Sequence, residues 1–521
     1  MRTARFCNVS VNVIWFKRDL RLSDNASVSD AINRGLPIIC LFNLDAQRIS
    51  RSDVSGIHIE WELDCLRSLT EDIDGLGGVM RFNYGNIIEA LEKIHQEYTI
   101  DTIIANEETG LQWSWNRDKL VAEWCDFSRV DFVEHPSNGV IRKLKTRDDW
   151  KKHRDKRVSA ELLPRPSELP APSGCHSDEI PTMKTLGLAS RKLANRPIAG
   201  EKAALATLNA FLNERGRNYR KGMSSPITGE AMCSRISPYL SAGCLTIKQV
   251  FHHTVNRQRQ IKVDPRSSEN LGFTSSLTSF QSRLAWHCHF MQRLEAEATM
   301  DEVAINPELD ELLNRQLDQR KFIAWRDGKT GWPFFDACMR YLAATGWINF
   351  RMRAMLQSVA SYTLWLPWQA TGTHLANLFM DYEPGIHWSQ VGMQSGTTGI
   401  NTVRAYSVIK QGRDHDPKGT FIRNWVSEMG SVPDKYIHEP WKMPQEIQNE
   451  VDCVIGKHYP SPIVDEASAR KEGVRRTYAA RSGEETREAS KKVYQKHGSR
   501  RRPAGRRRGR GAKDSRQAKL F

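Results

Sequence analysis

Residues 332–364 read WPFFDACMRYLAATGWINFRMRAMLQSVASYTL. Apolar side chains recur there at the three-to-four-residue spacing of a helix. The same spacing appears in ALATLNAFLNERG (204–216) and RKFIAWRDG (320–328). These pieces predict an all-helical domain over 199–455. Most of the 15 tryptophans fall in it, and most read as packing residues.

Outward from that block the pattern changes. On its N-terminal side, residues 136–198 form a mixed connector. Its stretch LLPRPSELPAPSGCHSDEIP (162–181) is rich in proline and serine and is expected to run extended over the surface. Before it, residues 9–135 alternate strand and helix signals. VNVIWF, LPIICLFNL, VMRFNYG and TIDTIIANEE read as strands, and HIEWELDCLRSLTEDI and IIEALEKIHQEY as helices. That alternation predicts a doubly wound parallel-sheet domain, which binds ligands at the carboxyl ends of its strands. The predicted fold class is therefore α/β plus α. Beyond about residue 460 the chain turns polar, then arginine- and glycine-rich, so 460–521 is expected to be a disordered basic tail.

The bulk numbers bound the function. The chain has 521 residues and a net charge of +15, which suggests a polyanionic partner. Residues 496–521 carry 11 Lys/Arg and one Asp. That tail holds +10, and 15 − 10 leaves +5 for the rest. No run approaches the about 18 apolar residues of a membrane span, and the N-terminus reads as a strand, not a signal peptide. A cytoplasmic, nucleoid-associated monomer is expected. The ten cysteines are scattered, without a CxxC pair, which speaks against a metal cluster or a disulfide framework. His287-Cys288-His289 does not suggest a metal site, because helical i and i+2 side chains diverge.

Four motifs carry chemistry. Trp15-Phe16-Lys17-Arg18-Asp19-Leu20-Arg21, with Asp24 and Asn25, follows the first strand. Cys233-Ser234-Arg235-Ile236-Ser237-Pro238-Tyr239-Leu240 combines hydroxyls, a cation and a helix start, a set that suits phosphate oxygens. Trp325-Arg326-Asp327-Gly328-Lys329-Thr330-Gly331-Trp332-Pro333 leads through Asp336, Met339-Arg340, Thr345-Gly346-Trp347-Ile348 to Arg351 and Arg353. Asp381-Tyr382-Glu383-Pro384-Gly385-Ile386-His387 is the fourth. Asp416-Pro417-Lys418-Gly419 to Trp425 closes the series.

Together these segments resemble the cryptochrome/photolyase family, from residue 12 to about 445. The resemblance implies a FAD cradle. Ser234, Arg235, Ile236 and Ser237 would wrap the diphosphate, with Tyr219 upstream. Arg353 would lie beside the flavin, where a cation stabilises its anionic reduced form. Glu383 would meet the ring edge, with Asp381 behind it. Trp347, Arg283 and His387 complete the expected cofactor set, and His387 stands where many relatives place an asparagine near the flavin. Trp286 corresponds to the aromatic that stacks on a flipped lesion. Met393 and the loop Gln394–Thr398 are the other candidates for the lesion pocket. Residues 104–118 and the sheet edge are candidates for an antenna chromophore, whose identity the residues do not name.

The chain also departs from the pattern. The family's W-M-H-N-R is Trp347-Ile348-Asn349-Phe350-Arg351. The family's acid before the stacking tryptophan is Arg283. Of the three electron-transfer tryptophans, only the middle one is kept, as Trp368. The inner pair of positions holds Val391 and Met393, and the outer aligns near Arg315. Photoreduction then needs other aromatics, with Trp388, Trp347 and Tyr406 as candidates. The implied activity is light-driven repair of cyclobutane pyrimidine dimers in damaged DNA by electron transfer from FAD, with Trp286, Met393 and Trp368 in the active machinery. The alternatives are a blue-light photoreceptor without repair activity and a (6-4) photoproduct lyase, the latter through His387. The terminal Gln517, Leu520 and Phe521 resemble the peptide by which bacterial repair proteins bind a sliding clamp.

Overall fold

The computed structural model describes residues 9–498. Five parallel strands form one sheet in the order β3-β2-β1-β4-β5. They are β1 (Ser10–Phe16), β2 (Ile38–Asp45), β3 (Met80–Gly85), β4 (Thr99–Asn106) and β5 (Asp131–His135). Between them run α1 (Ala26–Asn33), α2 (Gly56–Asp74), α3 (Ile87–Glu97) and α4 (Gln112–Ser128). Val11, Val13, Ile14, Trp15 and Phe16 of β1 are all buried. A strand covered on both faces is apolar nearly throughout, with the buried Asn12 as the exception here, which is why VNVIWF does not alternate. Asn12 pairs with Ile38 and Phe16 with Phe42, in register over the five residues between and including them. Helix starts follow the side-chain chemistry: Asn25 caps α1 and Asn86 caps α3.

The connector is docked, not loose. Ile38 donates its N–H to the carbonyl of Pro170, and Leu169 and Ile180 are buried.

The helical domain follows. Its elements nearest the site are α5 (Ser237–Ala242), α6 (Phe273–Ala296), α7 (Pro333–Thr345), α8 (Phe350–Ser358), α9 (Trp368–Leu378) and α10 (Pro384–Ser395). Asp336, in the longest motif, is an anchor inside the fold. It is fully buried and accepts from Thr330 N (2.9 Å), Thr330 Oγ1 (2.7 Å) and Gly331 N (3.2 Å), and from the hydroxyl of Tyr459. The two domains meet closely at Gly243. Its φ of +74° and the carbonyl of Arg18, which a Cβ would overlap, both require glycine there.

One expectation is corrected. Residues 466–497, read as disordered, form α11 (Glu466–Ala480) and α12 (Glu484–His497). The inward faces of these helices use Gly473, Thr477, Thr486 and His497. Small and polar contact residues leave no apolar period to read. α11 packs on the π-helical turn Val359–Thr363, and Arg481 donates to the carbonyls of Asn401 (2.7 Å) and Gly396 (3.0 Å). Among the described residues, no helix is long and apolar enough to cross a membrane. The clamp-like Gln517, Leu520 and Phe521 lie outside the described residues.

Candidate FAD site

A cavity of about 1060 Å³ opens between α5, α6, α8 and α10. That is at the upper end of small-molecule sites, ~300–1,000 Å³. All eleven cofactor residues expected from the sequence line it: Tyr219, Ser234, Arg235, Ile236, Ser237, Arg283, Trp347, Arg353, Asp381, Glu383 and His387. Trp286 and Met393 line it as well.

The segment before α5 is held open from behind. Arg215 donates to the carbonyls of Cys233 (2.7 Å) and Ser234 (3.1 Å). Arg235 takes a left-handed φ of +61° and lays its guanidinium 3.9 Å from the centre of the Trp347 ring. Its Nη1 is buried without a partner. Gln357, Gln390 and Gln394 each leave a buried Oε1 unpartnered on the same cavity. Thr274, Ser275, Thr278, Ser279 and Ser282 add a row of hydroxyls from α6. The buried, unpartnered atoms of Arg235 and of the three glutamines are costly unless a ligand satisfies them. Hydroxyls and arginines suit a diphosphate, while Trp347, Ile348, Leu375 and Phe379 suit an apolar ring. The donor set therefore fits FAD.

Arg353 is fully engaged. Its Nε donates to Ile348 O (2.7 Å), and Nη1 and Nη2 reach the two oxygens of Asp381 (3.0 and 2.8 Å). Burial alone would raise the Asp381 carboxyl, but Arg353 and the Ser237 hydroxyl hold it below its ordinary range. The cavity therefore meets an ion pair here, not a bare cation. Glu383 pairs with Arg18, which reaches across from the α/β domain (3.2 Å) and also donates to Ser241 O (2.9 Å). Burial outweighs that partner and pushes the Glu383 carboxyl up to about 7. His387 Nε2 lies 2.8 Å from the carbonyl of Gly372. A carbonyl only accepts, so Nε2 carries the proton, and burial lowers the ring to about 4. His387 is neutral, with Nδ1 as an acceptor.

Two of the candidates stand off the cavity. Trp368 does not line the cavity. It is buried behind the wall, with Nε1 3.0 Å from both carboxylate oxygens of Asp310 and its ring 5.9 Å from Trp388. Trp388 in turn packs 5.0 Å from His387. It thus occupies the layer between cavity and Trp368 that Val391 and Met393 leave without an indole. Of the loop Gln394–Thr398, only Gln394 lines the cavity. Ser395, Thr397 and Thr398 turn inward, where the Ser395 hydroxyl donates to Val391 O (2.7 Å).

The sequence motifs did not assign Arg18, Arg215 or the hydroxyls of α6 to the site, nor the hydrogen bond that Tyr382 Oη donates to Asp53. Arg18 was visible as a charge after β1, but nothing local says that it crosses to the other domain. At the sheet edge, a candidate antenna position, one cavity of about 50 Å³ is present. Ion pairs fill that edge, Lys17 with Asp118 and Glu134, and Arg117 with Glu108.

Residues 12–156 match the model of the DNA photolyase domain, and residues 280–479 match the FAD-binding domain of DNA photolyase. The chain belongs to the cryptochrome/photolyase family. Its helical domain is the family's FAD-binding domain. A deoxyribodipyrimidine photo-lyase of Alkalihalophilus pseudofirmus is 27% identical, over 89% of this chain and 97% of its own. A cryptochrome DASH of Natronomonas pharaonis is 25% identical, over 87% and 98%. The fold is shared with a bacterial class III photolyase from Agrobacterium tumefaciens, with a TM-score of 0.79 at 22% identity, covering 93% of this chain and 100% of that one.

Proposed function

We propose that this family member repairs cyclobutane pyrimidine dimers in DNA under blue light. The observation that carries the reading is that Trp286 and Met393 share one cavity with the cofactor residues. A dimer flipped out of the duplex into that cavity would stack on Trp286 and lie against the cofactor. Flipping costs a few kcal/mol, least for a damaged pair. Arg220, Arg351 and Arg404 line the same cavity, and arginines there would hold backbone phosphates without reading sequence. Reduced FAD, when bound, supplies the single electron that the dimer accepts and returns. The chain's part is positioning. Arg353 and Asp381 brace the wall, the half-buried indole of Trp286 offers a stacking face, and Glu383 sits dry beside Arg18.

The test is reduced protein, a dimer-containing oligonucleotide and blue light, with restored thymines counted. Restoration supports the reading, and none with FAD bound overturns it. One observation favours the second reading, a blue-light photoreceptor: Arg283 stands on the cavity wall where relatives place an acid. The (6-4) alternative is weakened by His387, whose Nε2 proton is committed to Gly372.

For residues 510–521 we propose sliding-clamp binding, with Leu520 and Phe521 as paired apolar anchors and Gln517 at the rim. A peptide of that stretch should bind the clamp, and Leu520→Ala with Phe521→Ala should abolish binding. Unchanged binding by the double variant sinks the idea.

A further inference from the structure

Photoreduction of a flavin needs an electron that does not return at once. The ring beyond the cavity wall offers two exits for the positive hole that is left behind. Trp388 touches Trp368 on one side, 5.9 Å between centroids. Trp365, three positions before Trp368 in the chain, lies under two guanidinium groups, Arg315 at 4.6 Å and Arg476 at 5.3 Å. Two cations make a hole on Trp365 unfavourable.

Trp368 itself bonds the Asp310 carboxylate (3.0 Å), so the first exit is blocked only beyond it. The other side offers a phenol with a base in contact. Trp388 Nε1 donates to Tyr382 Oη at 2.9 Å. Tyr382 Oη donates to Asp53 Oδ2 at 2.5 Å. Asp53 is 2% exposed and paired with Arg51 (2.8 Å), which continues to Asp301 (2.6 Å). The Tyr382 ring packs 5.3 Å from His387 and lines the FAD cavity itself. A phenol becomes a strong acid when it loses an electron, so its oxidation inside a protein requires a base on the hydroxyl. Asp53 is that base, already in contact.

We propose that Tyr382 is the electron donor that makes photoreduction lasting in this protein, with Asp53 as its proton acceptor. Photoexcited oxidised FAD takes one electron from Trp388. Trp388 recovers that electron from Tyr382. The Tyr382 O–H bond breaks, its proton passes to the Asp53 carboxylate, and a neutral tyrosyl radical remains while the flavin keeps the electron. Charge balances without any further reactant. The pair bridges the domains, since Asp53 lies in the loop before α2 and Tyr382 just before α10. The inference rests on the FAD site and is independent of whether dimers are repaired.

The experiment uses the full-length protein with oxidised FAD, its content checked by the flavin released on heating. Samples are illuminated with blue light and followed by electron paramagnetic resonance and transient absorption. The parent should give a neutral tyrosyl radical, formed more slowly in D₂O than in H₂O. Tyr382→Phe should lose that signal, keep a tryptophan radical and return the electron faster. Asp53→Asn should slow tyrosyl formation by about 10²-fold, the lower end of a general base's contribution. If that variant fails to retain FAD, the isotope effect on the parent decides by itself. A parent that shows only tryptophan radicals, or forms its tyrosyl radical at equal rates in both solvents, overturns the proposal. So does a Tyr382→Phe protein that keeps the tyrosyl signal.

Discussion

Arg353 and Asp381 form an ion pair on the cavity wall, with two short bonds and an Asp381 side chain only 3% exposed. Arg353→Ala would leave that carboxylate buried without its partner. Loss of a charged buried bond costs about 1.5–3 kcal/mol of folding stability, and a cavity wall distorted on that scale should bind FAD about 10- to 100-fold more weakly. Titration of the apoprotein with FAD checks this, and unchanged affinity would contradict the placement. Glu383 behaves differently because burial dominates it. Its folded carboxyl is raised from 4.5 to about 7. Below pH 4.5 both folded and unfolded forms are protonated, and the contribution to stability is fully present. As pH rises to 7 the unfolded form ionises first, and that contribution is lost. Across this window the apoprotein should lose roughly 3 kcal/mol through this group. Glu383→Gln should flatten the corresponding part of the curve of urea midpoint against pH. Parallel curves for the two proteins would show that Glu383 is not the group.

At the scale of elements, α11 is held by fit. A Cβ on Gly473 would overlap the Tyr362 carbonyl. Gly473→Ala should push α11 off the π-helical turn and cost about 1–3 kcal/mol, the usual range for overpacking. Limited proteolysis should then cut earlier within 466–497, and an unchanged digestion pattern would argue against the contact. The aromatic layer behind α10 gives a second expectation. Trp388, not a residue of the usual pair, stands between cavity and Trp368. Trp368→Phe should therefore slow photoreduction only in part, and Trp388→Phe should slow it more. Steady blue illumination with flavin absorbance as readout separates the two. Complete loss in Trp368→Phe would make Trp368 the sole route.

At the scale of the whole molecule, charge and domain docking divide the work. Arg18, Arg21 and Arg51 of the α/β domain reach Glu383, Gly243 O and Asp301 of the helical domain. The switch point between β1 and β4, which many α/β proteins use for a ligand, is spent on this docking. The folded body carries little net charge and the tail most of it. Removing residues 499–521 should therefore lower DNA affinity and flatten its dependence on salt, because fewer counterions are released. Fluorescence anisotropy over a salt series measures that slope. An equal slope in the truncated protein would place the phosphate contacts on the body.

The sequence by itself determined the two-domain class, because strand and helix periods are local and the burial they imply is one-dimensional. It also picked out residues that line the large cavity. Motifs such as Ser234–Ser237 and Asp381–Glu383 are contiguous, so their members stay close whatever the fold does. What only the tertiary structure decided is which distant groups complete them. Arg18 meets Glu383 across 365 positions, and Asp53 meets Tyr382 across 329. Neither pairing leaves a trace in spacing or composition. The docking of α11 was equally hidden, since Gly473 and Thr477 make contact by being small, and smallness has no period. Trp368 could be aligned to a known position, but its distance behind the cavity wall depends on how α9 packs against α10, and packing is a property of pairs.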